Sequence, residues 1–286
     1  GATTWGFNGV VSQFLLSHYP VEPSWLASIR MCLAGLFLTL MVLPTKRTEI
    51  HQMLHDPVSL RHLVLFALFG LILSQFSYLS AIKNSNAGTA TVLQTLSVVL
   101  MSLYLAVRFH KRPTGREILS VFLAFGGVYL AATNGNPSTM VISPLGLTWG
   151  LIGAIACVTY PVLSQGLAAN WGAAVANGLG MIIGGVFLSL TLQVWTVWPA
   201  LDPTGWLAVA FIVIIGTALS FTAFVTGISK IGPMKATLLG TLEPVVASVT
   251  SAIALGTTFH TVELIGYACI IATVFIIILQ KKPAIS

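Results

Sequence analysis

Glu243 stands inside an apolar run, Leu242-Glu243-Pro244-Val245. A carboxylate within hydrocarbon costs roughly 3 kcal/mol on insertion scales, so it faces a cavity or a partner. There it binds a cation or carries a coupling proton; the structural alternative is a hydrogen bond that fixes the Pro244 region against a neighbouring helix. Pro244 removes a backbone donor, and a carbonyl freed in a membrane needs a partner or a wet cavity. The stretch from Thr241 to Pro244 is therefore either a wall of a site or a kink made for packing. Arg30 lies roughly two turns from one end of its run. It either snorkels to the headgroups or supplies a fixed positive charge for a substrate carboxylate or a gate.

Scattered polar side chains in apolar runs complete the candidate set. They are Asn8 and Gln13, Gln75 and Tyr78, Gln94 and Thr95, then Tyr160, Ser164 and Gln165, and finally Ser220 and Thr222. One such side chain alone is interhelical glue worth about 1–2 kcal/mol at most. Gathered on helices that face one cavity, they are ligands. Trp5 and Trp149 are either interfacial belt residues or an aromatic wall for an apolar or cationic substrate.

The elements that must position these residues follow from composition. Apolar residues make up 56% of the 286 and charged ones only 7%, against roughly 25% charged in soluble domains. The charge is too sparse to clothe a soluble surface, and apolar runs near the ~20 residues of a membrane span recur throughout. We place ten transmembrane helices near 1–17, 24–43, 61–82, 87–107, 117–133, 143–167, 173–195, 205–228, 234–255 and 261–280. The runs are long and lack period-two alternation, which excludes barrel strands. The first run reads as clipped at its start, with no charged n-region of a signal peptide. Pro23 and Pro233 suit first helical turns, and Asn134-Gly135-Asn136-Pro137 and Trp198-Pro199 mark turns. Glycines such as Gly178, Gly180, Gly184 and Gly185 serve close helix approach.

Basic residues set the orientation. With the N-terminus inside, inner segments hold Lys46, Arg47, Arg61, Arg108, Lys111, Arg112, Arg116, Lys230, Lys235, Lys281 and Lys282, and outer segments only Lys83. Eleven against one places both termini on the cytoplasmic side of a multi-pass protein of the cytoplasmic membrane, with membrane lipid as a partner. The net charge of +6 is thus a topology signal, and no nucleic-acid partner is expected.

Other chemistries find no purchase. Cys32, Cys157 and Cys269 lie in apolar runs without paired spacing, which argues against a disulfide or a metal site. HExxH, GxSxG, clustered aspartates and ATP-binding motifs are absent from the sequence, so neither an intramembrane enzyme nor ATP-driven transport is expected, and no cofactor. A passive channel or structural membrane protein remains the alternative of another class, without the repeated polar face or filter a channel needs.

Sliding the sequence against itself by 146 residues aligns 82–130 with 228–276. Thr91/Thr237, Thr95/Thr241 and Glu117/Glu263 are among the identities, and these types are scarce here. Trp5-Gly6 with Gly9 resembles Trp149-Gly150 with Gly153, and Met31 with Gly35 resembles Met181 with Gly185. The reading is a five-helix unit over 1–138 repeated over 139–286. Five is odd, so the copies are inverted, with a substrate site between the halves near the midplane.

These motifs, in this order, resemble the drug/metabolite transporter superfamily and its ten-helix EamA-type members. The carriers are Trp5-Gly6, Arg30 with the small residues after it, Ala87 to Leu96, Trp149-Gly150, Gly232-Pro233 with Ala236, and Leu242-Glu243-Pro244-Val245. Ser97-Val98 stands where the second half has Glu243-Pro244, and His110-Lys111-Arg112 and Gly256-Thr257-Thr258 stand where members often carry an acidic residue. The resemblance implies a central cavity lined by spans 1, 3, 4, 6, 8 and 9, with spans 5 and 10 peripheral. It implies a secondary transporter of small metabolites, amino acids or related solutes, by alternating access and in the export direction; Glu243 is the candidate for proton coupling, with facilitated diffusion as the alternative. The alternative within the class is movement of organic cations, quaternary amines or drugs. The expected assembly is a monomer or homodimer.

Overall fold

A computed structural model describes residues 1–108, 114–136, 141–231, 240 and 242–278, and among these it is helical with no strand. We label the helical stretches in chain order. The first half holds α1 (Ala2–His18), α2 (Pro23–His55), α3 (Pro57–Lys83), α4 (Ala87–Arg108) and α5 (Gly115–Thr133). The second holds α6 (Pro144–Trp171), α7 (Ala173–Leu192), α8 (Pro203–Phe211 continued through Ile212–Leu219 and Ser220–Ile231), α9 (Leu242–Leu255) and α10 (Thr261–Ile278). Among the described residues, seven of these, α2 to α8, are long and apolar enough to cross a membrane.

Local chemistry explains where they begin. Pro23, Pro57, Pro144 and Pro203 occupy first turns, where a missing N–H costs nothing. Asp56, Asn86, Thr114, Ser143 and Asp202 accept backbone N–H bonds as N-caps, satisfying donors a helix start otherwise leaves orphaned. Asp202 Oδ1 also accepts a 2.6 Å bond from the Tyr19 hydroxyl, tying the α1–α2 turn to the start of α8. At α5 a full capping box joins Thr114 and Glu117. At α10 the matching Glu263 closes back on the His260 N–H at 3.2 Å.

One span differs from the expectation. The sequence places a basic loop after residue 43, yet α2 continues to His55. It bends at Lys46 (φ −123°, ψ 20°), two residues beyond Pro44, because proline removes a helical hydrogen bond and crowds the preceding turn. Lys46 then pairs with Glu49 at 2.7 Å.

α2 packs chiefly on α7, α5 on α10, α3 on α6, and α1 on α9, while α4 touches both α6 and α9. Glycine makes the tightest crossings possible. A Cβ on Gly35 would lie 2.7 Å from Ile182 N, and one on Gly185 would lie 2.7 Å from Cys32 N. Gly127 and Gly266 stand in the same relation across α5 and α10, each against the other's carbonyl oxygen. Between membrane helices, where lipid is as apolar as leucine, such close approach is a main source of attraction. The outward faces are apolar: Val107, Phe125 and Ile253 are 77%, 75% and 81% exposed, a surface suited to hydrocarbon rather than water.

α3 and α8 share an irregularity. Both widen into π-helix, over Phe66–Ile72 and Ile212–Leu219, starting 146 residues apart. Each widened turn holds a glycine at the matching place, Gly70 and Gly216. Tyr160 of α6 backs onto Gly70, and Asn8 of α1 onto Gly216. Such turns cluster at functional sites because they displace the helix beyond them.

Candidate functional site

A cavity of about 130 Å³ lies among α1, α3, α4, α6, α8 and α9, and α2 adds Arg30 to its lining. An apolar cavity of about 150 Å³ takes benzene, so this one is sized for a small solute rather than a nucleotide. Its lining falls into a polar cluster and an aromatic one.

The polar cluster centres on Arg30, which is 1% exposed. Its Nη2 donates to the Gln75 carbonyl at 3.2 Å and to Gln75 Oε1. Among the described residues no carboxylate comes within 4.0 Å of the guanidinium. Snorkelling to the headgroups is therefore overturned: the side chain is buried against α3 and lines the cavity. The Tyr78 hydroxyl interacts with both Arg30 and the Glu243 carboxyl. Glu243 and Pro244, in the first turn of α9, complete this part of the lining.

The aromatic cluster is built by α1, α6 and α8. Trp5 meets Phe221 edge-on at 4.8 Å between ring centroids and Phe224 at 4.7 Å. Phe221 in turn meets Tyr160 at 5.5 Å. Geometries of this kind contribute about 0.5–1.5 kcal/mol per pair beyond area burial, so the cluster is a firm surface.

Several buried polar atoms on this lining have no partner: Trp5 Nε1, Asn8 Oδ1, Arg30 Nε and Gln75 Nε2. Buried polar groups are almost always bonded, and leaving one unpaired costs about 1–3 kcal/mol. At this cavity, solute or water is placed to supply the missing bonds.

Of the residues selected from sequence, Trp5, Asn8, Arg30, Gln75, Tyr78, Gln94, Thr95, Tyr160, Glu243 and Pro244 line the cavity. At Thr95 the α4 backbone tightens, Thr95 N bonding Val92 O and Leu96 N bonding Leu93 O. Gln13, Trp149, Ser164 and Ser220 do not line it. Gln13 bonds Ala87, Ser251 and Thr257; Trp149 packs edge-on against Phe76 at 5.2 Å; Ser164 bonds the Pro161 carbonyl; Ser220 bonds Thr4 and the Ile215 carbonyl. Thr241 lies outside the described residues. Sequence reasoning missed Phe221, Phe224, Cys157 and Thr91 on the lining. The signal for the two phenylalanines was available: they stand 146 residues after Gln75 and Tyr78.

Comparison with known proteins gives a consistent picture. The profile of the EamA-like transporter family matches residues 1–133 and again 144–279. The chain is 30% identical over 281 residues to the uncharacterized inner membrane transporter YicL of Salmonella typhimurium, covering 98% of this chain and 93% of that one. It is 26% identical to the uncharacterized transporter YyaM of Bacillus subtilis, over 91% of this chain and 87% of that one. With the uncharacterized inner membrane transporter YedA of Escherichia coli it shares 25% identity, over 99% and 91%. A solved crystal structure superposes with a TM-score of 0.62 at 19% identity, covering 96% of this chain and 95% of that one, which is a likeness of fold.

Proposed function

The chain belongs to the EamA-like transporter family and is a multi-pass membrane transport protein, not an enzyme; from this premise we propose that it is a secondary transporter of small metabolites, amino acids or related solutes. The observation that carries the reading is a cavity of about 130 Å³ walled by helices of both halves, with unpartnered polar atoms of the first half facing it. In this reading ten helices cross the cytoplasmic membrane as two inverted five-helix repeats, 1–138 and 139–286, with both termini inside. The family profile matching in two stretches and the π turns 146 residues apart support the repeat. Alternating access then arises from rocking one half against the other around the central cavity, with export as the direction.

Asn8, Gln75, Tyr78, Gln94, Thr95 and Tyr160 are the proposed ligands, with Trp5 as an aromatic surface, Arg30 as the fixed positive charge, and Pro244 shaping the wall. Glu243 carries a coupling proton in this scheme, which ties solute movement to the proton gradient. A second reading has its own support. Glu243 shares the cavity with Trp5 and Phe224, a carboxylate beside aromatic faces that suits an organic cation.

The test is counterflow in proteoliposomes preloaded with a pooled metabolite extract, with exchanged solutes identified by mass spectrometry. Saturable exchange of amino acids is the expected result. Exchange confined to amines turns the assignment to the cation reading, and no exchange from folded protein overturns transport of these solutes.

A further inference from the structure

The two halves contribute unlike side chains at matching positions of the same cavity. Gln75 and Tyr78 of α3 line it, and so do the residues 146 positions later on α8, Phe221 and Phe224. A helix pair related by the repeat thus offers hydrogen-bonding groups from one member and bare rings from the other. The cavity is amphipathic by divergence of its halves.

The polar side also has a sign. Of the unpartnered atoms on the lining, Arg30 Nε, Gln75 Nε2 and Trp5 Nε1 are donors and Asn8 Oδ1 is the lone pure acceptor, while the Glu243 carboxyl is engaged by Tyr78. Arg30 has no carboxylate within 4.0 Å among the described residues, and a buried cation without a counter-charge is strongly disfavoured. A donor-rich pocket built around a guanidinium fits the planar, two-oxygen acceptor of a carboxylate. Apolar surface from Trp5, Phe221 and Phe224 adjoins it, and the volume admits a body of about benzene size.

Resting on the reading of this cavity as the transport site, we infer that its substrates are small amphipathic carboxylates. The carboxylate is held on Arg30 and Gln75, and a ring or branched apolar body lies against Trp5, Phe221 and Phe224. Small polar solutes lacking the apolar body, and amines lacking the carboxylate, are rejected.

Cys157 on the cavity lining gives a readout independent of flux. In a variant with Cys32→Ser and Cys269→Ser, both outside the cavity, the rate at which N-ethylmaleimide modifies Cys157 reports occupancy in detergent-purified protein. The probes are L-phenylalanine, phenylacetate, phenethylamine and glycine. The expected result is protection by L-phenylalanine and phenylacetate at concentrations roughly tenfold or more below any effect of phenethylamine or glycine. Arg30→Gln should weaken protection by phenylacetate roughly 100-fold, while Arg30→Lys, which keeps the charge but not the fork, should lose less. Should Arg30→Gln not fold, Phe221→Ala carries the test, because it should reduce the preference for L-phenylalanine over glycine.

Protection by phenethylamine without phenylacetate, or by glycine as well as L-phenylalanine, overturns the inference, as does protection by inorganic phosphate alone. If none of the four probes protects Cys157 while a metabolite extract exchanges across proteoliposomes, the inference falls and the transport reading stands. If phenylacetate protects but nothing exchanges, the binding preference of the cavity stands and the transport reading falls, and the bound carboxylates are ligands rather than substrates.

Discussion

Gln13 of α1 and Ser251 of α9 are joined through a single amide oxygen: Gln13 Oε1 accepts the Ser251 hydroxyl at 2.9 Å and also the Ala87 N–H that opens α4, again at 2.9 Å. Gln13 Nε2 donates to Thr257 Oγ1 at 3.1 Å, and Ser251 and Thr257 share a bond of 2.7 Å. Trp5 and Asn8, earlier on α1, line the cavity. Gln13 lies more than a turn further along the helix. One side chain thus clamps three cavity-forming helices together beyond the cavity.

Loosening that clamp should favour an arrangement open at its end. Each bond contributes about 1 kcal/mol, so Gln13→Leu, which removes three, should shift an open–closed equilibrium roughly tenfold or more. The measurement is modification of Cys157 by a membrane-impermeant thiol reagent applied separately to each side of oriented vesicles. Faster labelling from one side alone is expected; unchanged rates from both sides would assign Gln13 a purely structural role.

Glu243→Gln keeps size and hydrogen bonding but cannot exchange a proton. If Glu243 is the coupling group, transport by the variant should lose its dependence on pH while exchange of preloaded solute persists. A folded variant with the pH profile of the parent would reject proton coupling at this residue.

Neighbouring glycines on α5 make a controlled pair. A Cβ on Gly127 would fall 2.8 Å from the backbone oxygen of Gly266, whereas one on Gly126 meets nothing within 4 Å. Gly127→Ala must push α10 away and should cost about 1–3 kcal/mol. Gly126→Ala adds helix propensity without a clash and should gain about 0.5–1 kcal/mol. Thermal unfolding in detergent, read for each variant against the parent, separates the two.

The Tyr19–Asp202 link lies outside the spans and gives a pH signature. The Tyr19 hydroxyl and the Gly205 and Thr204 backbone hold the Asp202 carboxyl below its ordinary value of 3.8, and the Tyr19 hydroxyl is correspondingly raised. A depressed folded-state value means the stabilisation is fully present above about pH 4 and is lost as pH falls through the folded value. The gap in melting temperature between the parent and Asp202→Ala should therefore be constant from pH 5 to 7 and narrow below about pH 4. A gap that stays constant on acidification would show that the carboxylate charge contributes nothing.

Sequence made the helical membrane class legible because composition and run length speak to it directly. Rotation about each helix was less accessible. Depth along α2 suggested that Arg30 reaches for headgroups, but whether a side chain points to lipid or to a neighbour depends on helix phase. Its partner Gln75 lies 45 residues away. Gln13 read as a ligand because it is polar in an apolar run, and nothing local reveals that three elements converge on it. Phe221 and Phe224 escape notice, since aromatics in apolar helices carry no label; only their kinship with Gln75 and Tyr78 singles them out. The extension of α2 past Pro44 was hidden by its charges, which mark a cytoplasmic position but not a loop.

The widened turn in α3 has a further consequence for engineering. It precedes Gln75 and Tyr78, and the one in α8 precedes Phe221 and Phe224. An α-helix advances about 100° per residue, so trimming a single residue from either turn would act as a rotary dial, swinging one set of side chains off the cavity as a block. Chain length in these two short stretches, independent of which amino acids fill them, sets what the solute meets.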